Sequence, residues 1–369
     1  MKNISFIITN YNTKQYTEWS YNAIRNNLSN SHEIVMIDDG SSDGTWELLN
    51  QLKDKDSNLI IHRNETNIGI AYSYNKAVEL STNEVICLIH SDIYLPPNFD
   101  TIMLSELDNF DFVTCLRIEP PVYPQSTDKL LINYGMSLED FKEQRYLNEY
   151  QNHITDYNQL RTCFPWLCKK STYQKVNGID CLFLKYMVDD DDFYLRLAKE
   201  GFSYIQTFKT NCYHLCSRTT KYKDDILDLK GNKDWNKQYN KSTRNFIRKW
   251  GLPQSYVYKE DNSINTNIEK YLTELQINCE IDYTQLMILE PFLDSIKCKN
   301  SKLIEDYIKF NQKETLINLK DKFDKYIDNS YLFELNNVKE IQTIINNRIQ
   351  FALIDNKNKI NINYNLNYE

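Results

Sequence analysis

The feature that most limits the fold of this chain is a regular alternation of short apolar runs and amphipathic segments over roughly its first 90 residues. The apolar runs have the length of β-strands, and the segments between them carry apolar residues at helical spacing. Strands that alternate with helices predict an α/β fold, in which helices cover both faces of a parallel sheet. The predicted strands are residues 4–9, 33–38, 59–62 and 84–89, and the predicted helices are residues 14–28, 43–53 and 70–80.

Polar residues follow three of these predicted strands directly, at residues 9–12, 38–41 and 90–92. The carboxyl ends of parallel strands lie along one edge of a sheet, and open α/β sheets bind their ligands at that edge. The sequence therefore predicts that the three polar clusters meet in one binding site.

The character of the chain changes near Gly251, the last of its 8 glycines. Beyond it, apolar residues such as Ile268 and Leu275 recur at helical spacing. We expect an α/β domain over residues 1–252 and a mostly helical accessory region over residues 253–369. The asparagine-rich end of that region predicts either an edge strand or disorder.

Composition argues against several classes of protein. The chain has 43 Lys and Arg residues against 51 Asp and Glu residues, a net charge of -8, whereas nucleic-acid-binding domains are usually basic. No apolar run is long enough to span a bilayer, and the N-terminus predicts a first strand, not a signal peptide. Most of the 9 cysteines lie within apolar runs, which indicates buried free thiols in a reducing compartment, so we expect a cytoplasmic protein.

Asp38 and Asp39 stand where the second predicted strand enters a glycine turn. Their carboxylates can accept hydrogen bonds from the imide of a uracil or from a ribose hydroxyl. The alternative is a plain strand–turn–helix corner in which aspartate forms the turn. Asn67 and Gly69 follow the third predicted strand, where the glycine allows a ligand to approach the backbone or simply starts a helix.

Two residues suggest a metal centre. Asp92 follows the fourth predicted strand and supplies the oxygen ligand that a hard cation holding a diphosphate requires, unless it only caps a helix or a loop. His214 ends a later predicted strand and is either a metal ligand or a core residue. Structural zinc is a third alternative, because Cys212, His214 and Cys216 share one face of an extended segment.

Four adjacent aspartates, Asp189 to Asp192, begin another predicted helix. Like charges this close raise the pKa of at least one of the carboxyl groups, which suits a general base. The alternative is an acidic helix N-terminus that the helix dipole stabilises, and both can hold at once.

In order and spacing, these segments resemble the family 2 glycosyltransferases, which have the GT-A fold, a Rossmann-like mixed sheet with helices on both faces. The resemblance extends from about residue 3 to residue 220. Residues 118–160 match no part of the family pattern, and three early prolines predict irregular structure there. The matching blocks are residues 7–12, the nucleotide-binding turn at 38–45, residues 67–77, residues 169–180, the acidic pattern Glu-Asp-x-Asp-Leu-x-x-Arg at 189–197, and residues 249–251.

The resemblance implies an enzyme that moves a sugar, with inversion, from a nucleotide diphosphate sugar to a hydroxyl of a glycan or lipid-linked acceptor, as in polysaccharide biosynthesis. On this register Asp190 is the general base with Asp189 beside it, while Asp92 and His214 hold Mn²⁺ or Mg²⁺. Trp166 stacks on an acceptor sugar or else belongs to the core. The donor, expected to be a UDP-sugar, is bound by Thr9, Tyr11, Asp38, Asp39, Asn67, Gly69, Ser91 and Asp92.

Two departures from the family pattern bear on these expectations. His90 occupies the first place of the metal motif, where the family has Asp or Asn, and Asp189 replaces a Glu. The missing acid keeps open a second function, that of a catalytically inactive GT-A domain that acts as a binding or scaffold protein. A sugar-nucleotide pyrophosphorylase is disfavoured, because the N-terminus lacks a glycine-rich phosphate loop. The accessory region could bind an acceptor, form oligomers or contact a membrane surface.

Overall fold

A computed structural model of the chain describes residues 2–29, 31–183, 185–216, 233–269, 272–324 and 331–353. The chain forms two compact units, each built from several stretches of sequence. The first contains Met1–Ile179, Arg196–Asn236 and Asn262–Ile264, and the second contains Asp180–Leu195, Lys237–Asp261 and Asn265–Glu369. The units divide the chain differently from the boundary expected after residue 252, which stays a prediction. The predicted tail, from residue 354 onwards, lies outside the described residues.

The first unit is built on a mixed ten-stranded sheet. Its strands are β1 (Ile4–Asn10), β2 (Glu33–Asp38), β3 (Leu59–Arg63), β4 (Val85–Ile89), β5 (Ile93–Tyr94), β6 (Phe112–Glu119), β7 (Lys129–Leu131), β8 (Asn158–Gln159), β9 (Trp166–Lys169) and β10 (Tyr204–His214). The order is β3-β2-β1-β4-β9-β6-β10-β5, with β7 beside β6 and β8 beside β10. The neighbours β3, β2, β1 and β4 are parallel, whereas β9 is antiparallel to β4 and β6.

Helices cover this sheet, and their contacts explain the apolar runs of the sequence. They are α1 (Lys14–Asn27), α2 (Thr45–Lys53), α3 (Ile70–Leu80), α4 (Phe99–Leu107), α5 (Glu143–Glu149) and α6 (Lys170–Lys175). Every residue of β2 and β4 is buried, which requires cover on both faces of the sheet. The predicted α/β class and its mixed, helix-covered sheet are therefore confirmed.

Residues 118–160 are less irregular than their prolines suggest, because they contain β7, α5 and β8. Tyr134 and Tyr146 from this segment belong to a buried aromatic cluster with Tyr94 of β5 and Tyr213 of β10. The ring centroids of Tyr134 and Tyr213 are 5.6 Å apart, and those of Tyr94 and Tyr146 are 5.8 Å apart. Such edge-on aromatic contacts stabilise the segment against the two strands, β5 and β10, that flank the candidate metal centre.

The second unit contains the helical region expected near the C-terminus, together with a small sheet. Its helices are α7 (Asp189–Lys199), which begins in this unit, α8 (Lys233–Trp250), most of which lies in it, α9 (Tyr283–Leu289), α10 (Ser301–Asn311), α11 (Leu319–Asp324) and α12 (Ile341–Leu353). Three parallel strands, β11 (Thr273–Ile277), β12 (Ser295–Cys298) and β13 (Tyr331–Leu335), form a sheet in the order β12-β11-β13. The helical spacing assigned to Leu275 is wrong, because this residue lies in the central strand.

A buried group of charges lies in the second unit. Glu290 is fully buried and accepts hydrogen bonds from Arg248, Lys322 and Tyr307 at 2.7 to 3.1 Å. Burial raises the pKa of Glu290, but the cations of Lys322 and Arg248 outweigh it and hold the pKa well below its ordinary value.

Across the described ranges, no helix has both the length and the apolar character needed to cross a membrane.

Candidate active site

The loops after β1 and β2 are joined by hydrogen bonds, as expected for adjacent parallel strands. The backbone N–H of Asp39 donates to the carbonyl of Asn10 at 2.8 Å. The backbone N–H of Asn12 donates to the hydroxyl of Ser41 at 2.9 Å. Two of the predicted polar clusters therefore form one continuous surface at the carboxyl edge of the sheet.

Asp38 ends β2 and is completely buried. Its Oδ1 accepts a hydrogen bond from the backbone N–H of Ser41 at 3.0 Å, which closes the turn. Its Oδ2 lies 3.2 Å from Nε of Arg63, the last residue of β3. Asp38 therefore forms the turn of the strand–turn–helix corner, the alternative role given for it above. It also places the guanidinium of Arg63 at the edge of the site.

Asp39 holds the loop between β3 and α3. Its Oδ1 accepts hydrogen bonds from the Asn64 amide at 2.8 Å and the Ile68 N–H at 3.0 Å. Its Oδ2 accepts one from the Gly69 N–H at 2.9 Å. A carboxylate has about four acceptor sites, so roughly one remains for a ligand such as a nucleobase imide.

Gly40 lets the loop from β3 approach the turn after β2. A Cβ atom at this position would lie 2.7 Å from the carbonyl carbon of Thr66 and 2.9 Å from the backbone nitrogen of Asn67, and φ is +76°. Side chains do not tolerate contacts this short, so only glycine allows the two loops to touch. This contact brings the third predicted block, around Asn67 and Gly69, to the same edge.

The remaining donor-site residues differ in exposure. Thr9 is half-buried, whereas Tyr11 is 45% exposed and therefore accessible to a nucleobase. Oδ1 of Asn67 is buried and accepts no hydrogen bond from the described part of the chain. An unsatisfied buried acceptor is costly, which favours a ligand donor at this atom. Ser91 is buried in the loop between β4 and β5.

The structure brings Asp92 and His214 together, as the sequence predicts. The antiparallel pairing of β5 with β10 places His214 opposite Ile93. The Leu215 N–H donates to the Asp92 carbonyl at 3.0 Å, which fixes the two segments side by side. Nε2 of His214 then lies 3.6 Å from Oδ1 of Asp92.

His90 completes this group and was not predicted as a ligand. One ligand atom from each of His90, Asp92 and His214 lies within 4.8 Å of the others. Its spacing of two residues from Asp92 is the sequence signal for this role, although the family has an acid or an asparagine, and not an imidazole, at that place. Imidazole and carboxylate are both metal ligands, so the three residues fit a divalent cation.

Glu119, the last residue of β6, was missed by the sequence analysis. Its Oε1 lies 2.8 Å from Nδ1 of His214, and its Oε2 accepts from Nζ of Lys129 at 2.9 Å. Burial lowers the pKa of His214, but the carboxylates of Asp92 and Glu119 outweigh it and raise the pKa to about 10. Burial lowers the pKa of His90 to about 4. A bound cation would replace the proton of His214, since metal ligands must be deprotonated.

Trp166 lies in the core of the sheet. Its side chain is fully buried on β9, where its ring centroid lies 5.0 Å from that of Phe112 and 5.1 Å from that of Phe164. This placement favours the core alternative over stacking on an acceptor sugar. Zinc bound by cysteine is also disfavoured at this edge, because the potential ligand atoms that come together among the described residues are those of His90, Asp92 and His214 and include no thiol.

The acidic run begins α7, as the sequence predicts, and it lies in the second unit. Asp189 is buried, and burial together with the charges of Asp190 and Asp192 raises its pKa to about 7. Asp190 is half-buried, and its Oδ1 accepts a hydrogen bond from the Asp191 N–H at 2.9 Å. The helix N-terminus and a carboxyl group with a raised pKa therefore coexist.

Contacts to Asp192 and the backbone conformation just before Asp189 also characterise this acidic run. Oδ1 of Asp192 accepts a hydrogen bond from Nε1 of Trp250 at 2.8 Å and lies 2.7 Å from Nζ of Lys249. The preceding residues Met187 and Val188 have φ values of 81° and 65°. This conformation costs of the order of 1–3 kcal/mol at a residue other than glycine, and such strain is concentrated at functional sites.

Comparison with known proteins shows similarity to glycosyltransferases over part of the chain. Residues 5–170 match the family model described as glycosyl transferase family 2. The chain is 33% identical over 97 residues to the UDP-Glc:alpha-D-GlcNAc-diphosphoundecaprenol beta-1,3-glucosyltransferase WfaP of Escherichia coli, covering 26% of this chain and 37% of WfaP. It is 24% identical over 253 residues to the uncharacterized glycosyltransferase MJ1057 of Methanocaldococcus jannaschii, covering 60% and 84%.

Solved structures give a more distant likeness. The mannosyltransferase PcManGT of Pyrobaculum calidifontis, in complex with GDP-Man and Mn²⁺, has a TM-score of 0.46 at 15% identity, covering 67% of this chain and 64% of that one. The matched part spans about a third of the first curated relatives, between 30% and 35% of their length. The match over residues 5–170 confirms the resemblance of the sequence blocks within that range to the family 2 glycosyltransferases.

Proposed function

We propose that the protein transfers a sugar, with inversion, from a nucleotide diphosphate sugar to a hydroxyl of a glycan or lipid-linked acceptor. The carrying observation is that the turn at Asp38 and Asp39 follows β2 and that His90 and Asp92 follow β4, the two parallel strands on either side of β1, while His214 joins the second group from β10. A nucleotide with a diphosphate needs these two kinds of group side by side.

UDP is the nucleotide that the donor residues support best. The remaining acceptor site of Asp39 and the buried Oδ1 of Asn67 suit a base that presents N–H donors, and Tyr11 supplies an exposed ring for stacking. Arg63, beside Asp38, suits the charge of a phosphate. The similarity to a glucosyltransferase whose name includes UDP-Glc is consistent with this choice.

Asp190 is proposed as the general base. It takes the proton of the acceptor hydroxyl while the hydroxyl oxygen bonds to the anomeric carbon and the bond from that carbon to the diphosphate breaks. The carboxyl group of Asp189, beside it, has a pKa raised to about 7. Asp189 is therefore partly protonated at neutral pH, which limits the negative charge next to Asp190. A divalent cation, Mn²⁺ or Mg²⁺, held by His90, Asp92 and His214 would neutralise charge on the leaving diphosphate.

The accessory region and the location of the protein extend this proposal. All nine cysteines are free thiols, which suits a cytoplasmic protein. The helices after residue 253 would bind the acceptor, mediate oligomers or contact a membrane surface. Deleting the region after residue 252 and measuring solubility and transfer separately would distinguish these roles.

The test is a screen of nucleotide sugars with the full chain. Transfer or hydrolysis is measured with Mn²⁺ and with a chelator, for the wild type and for Asp190→Asn, alongside UDP binding by calorimetry. We expect turnover of one donor class, lost in Asp190→Asn while UDP binding persists. UDP binding without turnover of any donor would instead favour the inactive binding protein, and retained transfer in Asp190→Asn would remove the assignment of the base.

A further inference from the structure

One stretch of α8 in the second unit carries only positive charges. Residues 237–250 contain no Asp or Glu but five cations, namely Lys237, Lys241, Arg244, Arg248 and Lys249, although the whole chain has a net charge of -8. We propose that the exposed lysines of this stretch, with neighbouring lysines of the same unit, bind the surface of a membrane that contains anionic lipids. The binding does not depend on the proposed function, whereas its use, to meet a lipid-linked acceptor, rests on it.

The spacing of these cations places them in one stripe. Lys237, Lys241 and Arg244 are separated by four and three residues, so their side chains lie on the same side of the helix. The adjacent stripe, which includes Gln238 and Ser242, is buried against the protein. Lys237 is exposed and Lys241 is half-buried, so both lysines can reach a ligand in solvent.

The 3₁₀ turn Gln312–Glu314, which follows α10, lies against this helix. Nδ2 of Asn245 donates a hydrogen bond to the carbonyl of Glu314 at 2.8 Å, and the guanidinium of Arg244 pairs with the carboxylate of Glu314. Lys313, the middle residue of the turn, is exposed. The turn therefore neutralises Arg244 and adds another cation beside the lysines of α8.

Lys241 lies among like charges from three segments. Burial lowers its pKa, and the cations of Lys237, Lys313, Arg244 and Lys185 lower it further. Lys185 is exposed in the segment that precedes α7. Because cations that converge in this way repel one another, the group attracts an anionic surface. Lys185, Lys237, Lys241 and Lys313 together form the basic face.

Apolar side chains next to the basic face favour a membrane over a soluble polyanion. Phe310 is 53% exposed and precedes Lys313 by three residues, so the two side chains lie on one side of this helical segment. Nζ of Lys309 lies 5.7 Å from the centroid of the Phe310 ring. Leu316, two residues after the turn, is 37% exposed. Exposed aromatic and aliphatic side chains among lysines are typical of surfaces that enter the headgroup region of a bilayer.

The helix of the basic face also contacts the segment before the acidic run. Oγ of Ser242 donates a hydrogen bond to the carbonyl of Tyr186 at 2.8 Å, and Nε2 of Gln238 donates to the same carbonyl at 3.5 Å. Asp189 begins α7 only three residues later. A bilayer bound at the basic face would therefore hold the proposed base near the surface that carries lipid-linked acceptors.

The test measures binding to vesicles, without turnover. The full chain is sedimented with vesicles of phosphatidylcholine and with vesicles of equal parts phosphatidylcholine and phosphatidylglycerol. We expect binding to the anionic vesicles alone, weakened by added salt. A lysine near an anionic bilayer contributes about fivefold in affinity, so Lys237→Gln with Lys241→Gln should lower the affinity about 25-fold. Phe310→Ser leaves the charge unchanged and should lower it about tenfold.

Two further double variants control the experiment. Lys53→Gln with Lys55→Gln removes the same charge from exposed positions of the first unit and should leave vesicle binding unchanged. Lys185→Gln with Lys313→Gln, at two exposed positions outside α8, covers the case in which the α8 variant fails to fold, and should also lower the affinity about 25-fold.

Three results would overturn the inference. They are equal sedimentation with both kinds of vesicle, sedimentation with neither, and wild-type affinity in the double variants of the basic face. Unchanged vesicle binding by Phe310→Ser, together with tighter binding to single-stranded DNA than to vesicles, would assign the face to a soluble polyanion and also overturn it.

The outcome is separate from that of the proposed function. If the basic face binds anionic vesicles but no donor is turned over, the membrane inference stands and the glycosyl transfer fails. If sugar is transferred to a soluble acceptor but anionic vesicles are not bound, the transferase stands and the membrane inference fails.

Discussion

Nδ1 of His214 lies 2.8 Å from Oε1 of Glu119, so the last residue of β10 contacts the last residue of the neighbouring parallel strand β6. Lys129 also contacts Glu119, at 2.9 Å, and the group is buried. The contact sets the ring of His214 with Nε2 on the side of Asp92. Glu119 is therefore a positioning residue for the candidate metal centre and not itself a ligand.

Removing this contact should weaken metal binding. We expect Glu119→Ala to lower the affinity for Mn²⁺ about 10–100-fold, the usual cost of losing a carboxylate behind a metal-binding histidine. Calorimetric titration with Mn²⁺ measures it. Glu119→Gln keeps an acceptor for Nδ1 and should restore part of the affinity, which a general packing defect would not allow. Glu106→Ala, a change at an unrelated pair with Lys209, is the control, and equal affinities for all variants would contradict the prediction.

The contact between the loops at Gly40 gives a second prediction. Gly40→Ala should weaken UDP binding and destabilise the fold, because the added Cβ would lie 2.7 Å from the backbone of Thr66. Calorimetry with UDP and urea unfolding measure the two effects. Gly201→Ala is matched, since its φ is +81° but nothing lies within 4 Å of its Cβ position. Gly201→Ala should therefore lower the free energy of unfolding only by the backbone strain, of the order of 1 kcal/mol. UDP affinity that falls equally in both variants would show that the loop contact is not responsible.

A third prediction concerns the proposed base. Asp190→Asn should lower the turnover number about 10²–10⁴-fold, the usual contribution of a general base, and leave UDP binding nearly unchanged. Steady-state kinetics and calorimetry measure the two quantities. Asp191→Asn, at the next residue, alters a carboxylate that accepts from the Tyr258 hydroxyl and should cost far less turnover. A larger loss of turnover in Asp191→Asn than in Asp190→Asn would show that Asp190 is not the general base.

The parts of the fold that the sequence could predict are those with local signals. Buried strands such as β2 and β4 read as continuous apolar runs, and the glycine turn after Asp38 marks where one of them ends. Leu275 was misassigned because β11 has only five residues, too few for its periodicity to be distinguished from that of a helix. Strand pairing at this length is decided by tertiary contacts, which no local pattern reports.

The parts of the site that could not be predicted depend on distant pairing. Asp92 and His214 were found because each follows a strand, but Glu119 reaches His214 only through the pairing of β6 with β10. His90 departs from the acidic motif of the family, so the motif alone does not predict it as a ligand, although an imidazole can bind a metal as well as a carboxylate does. Trp166 could equally be a ligand contact or a core residue in the sequence, and only its position on a central strand distinguishes them.

The raised pKa of Asp189 predicts a pH-dependent stability. The pKa is about 7 in the folded chain and 3.8 in the unfolded one, so the unfolded chain releases this proton first as the pH rises. The folded state therefore loses stability between about pH 4 and pH 7, by at most about 4 kcal/mol. Asp189→Asn should relieve this loss, with little effect at pH 4 and a stabilisation at pH 8. Urea unfolding at the two pH values measures it, with the exposed Asp54→Asn as control. A variant equally stable relative to wild type at both pH values would contradict the assignment.

Glu290 supports the last prediction, on the stability of the second unit. Glu290→Gln leaves the cations of Arg248 and Lys322 buried without a compensating charge. Breaking a buried ion pair in this way costs about 3–5 kcal/mol, whereas Glu79→Gln, in the exposed pair with Lys76, should cost at most about 1 kcal/mol. Urea unfolding at pH 7 compares the two. Because the folded-state pKa of Glu290 lies well below the unfolded value of 4.5, its contribution is present above about pH 4.5 and is lost as the pH falls. The difference between wild type and Glu290→Gln should therefore shrink in acid, and a constant difference would show that shape, not charge, makes Glu290 important.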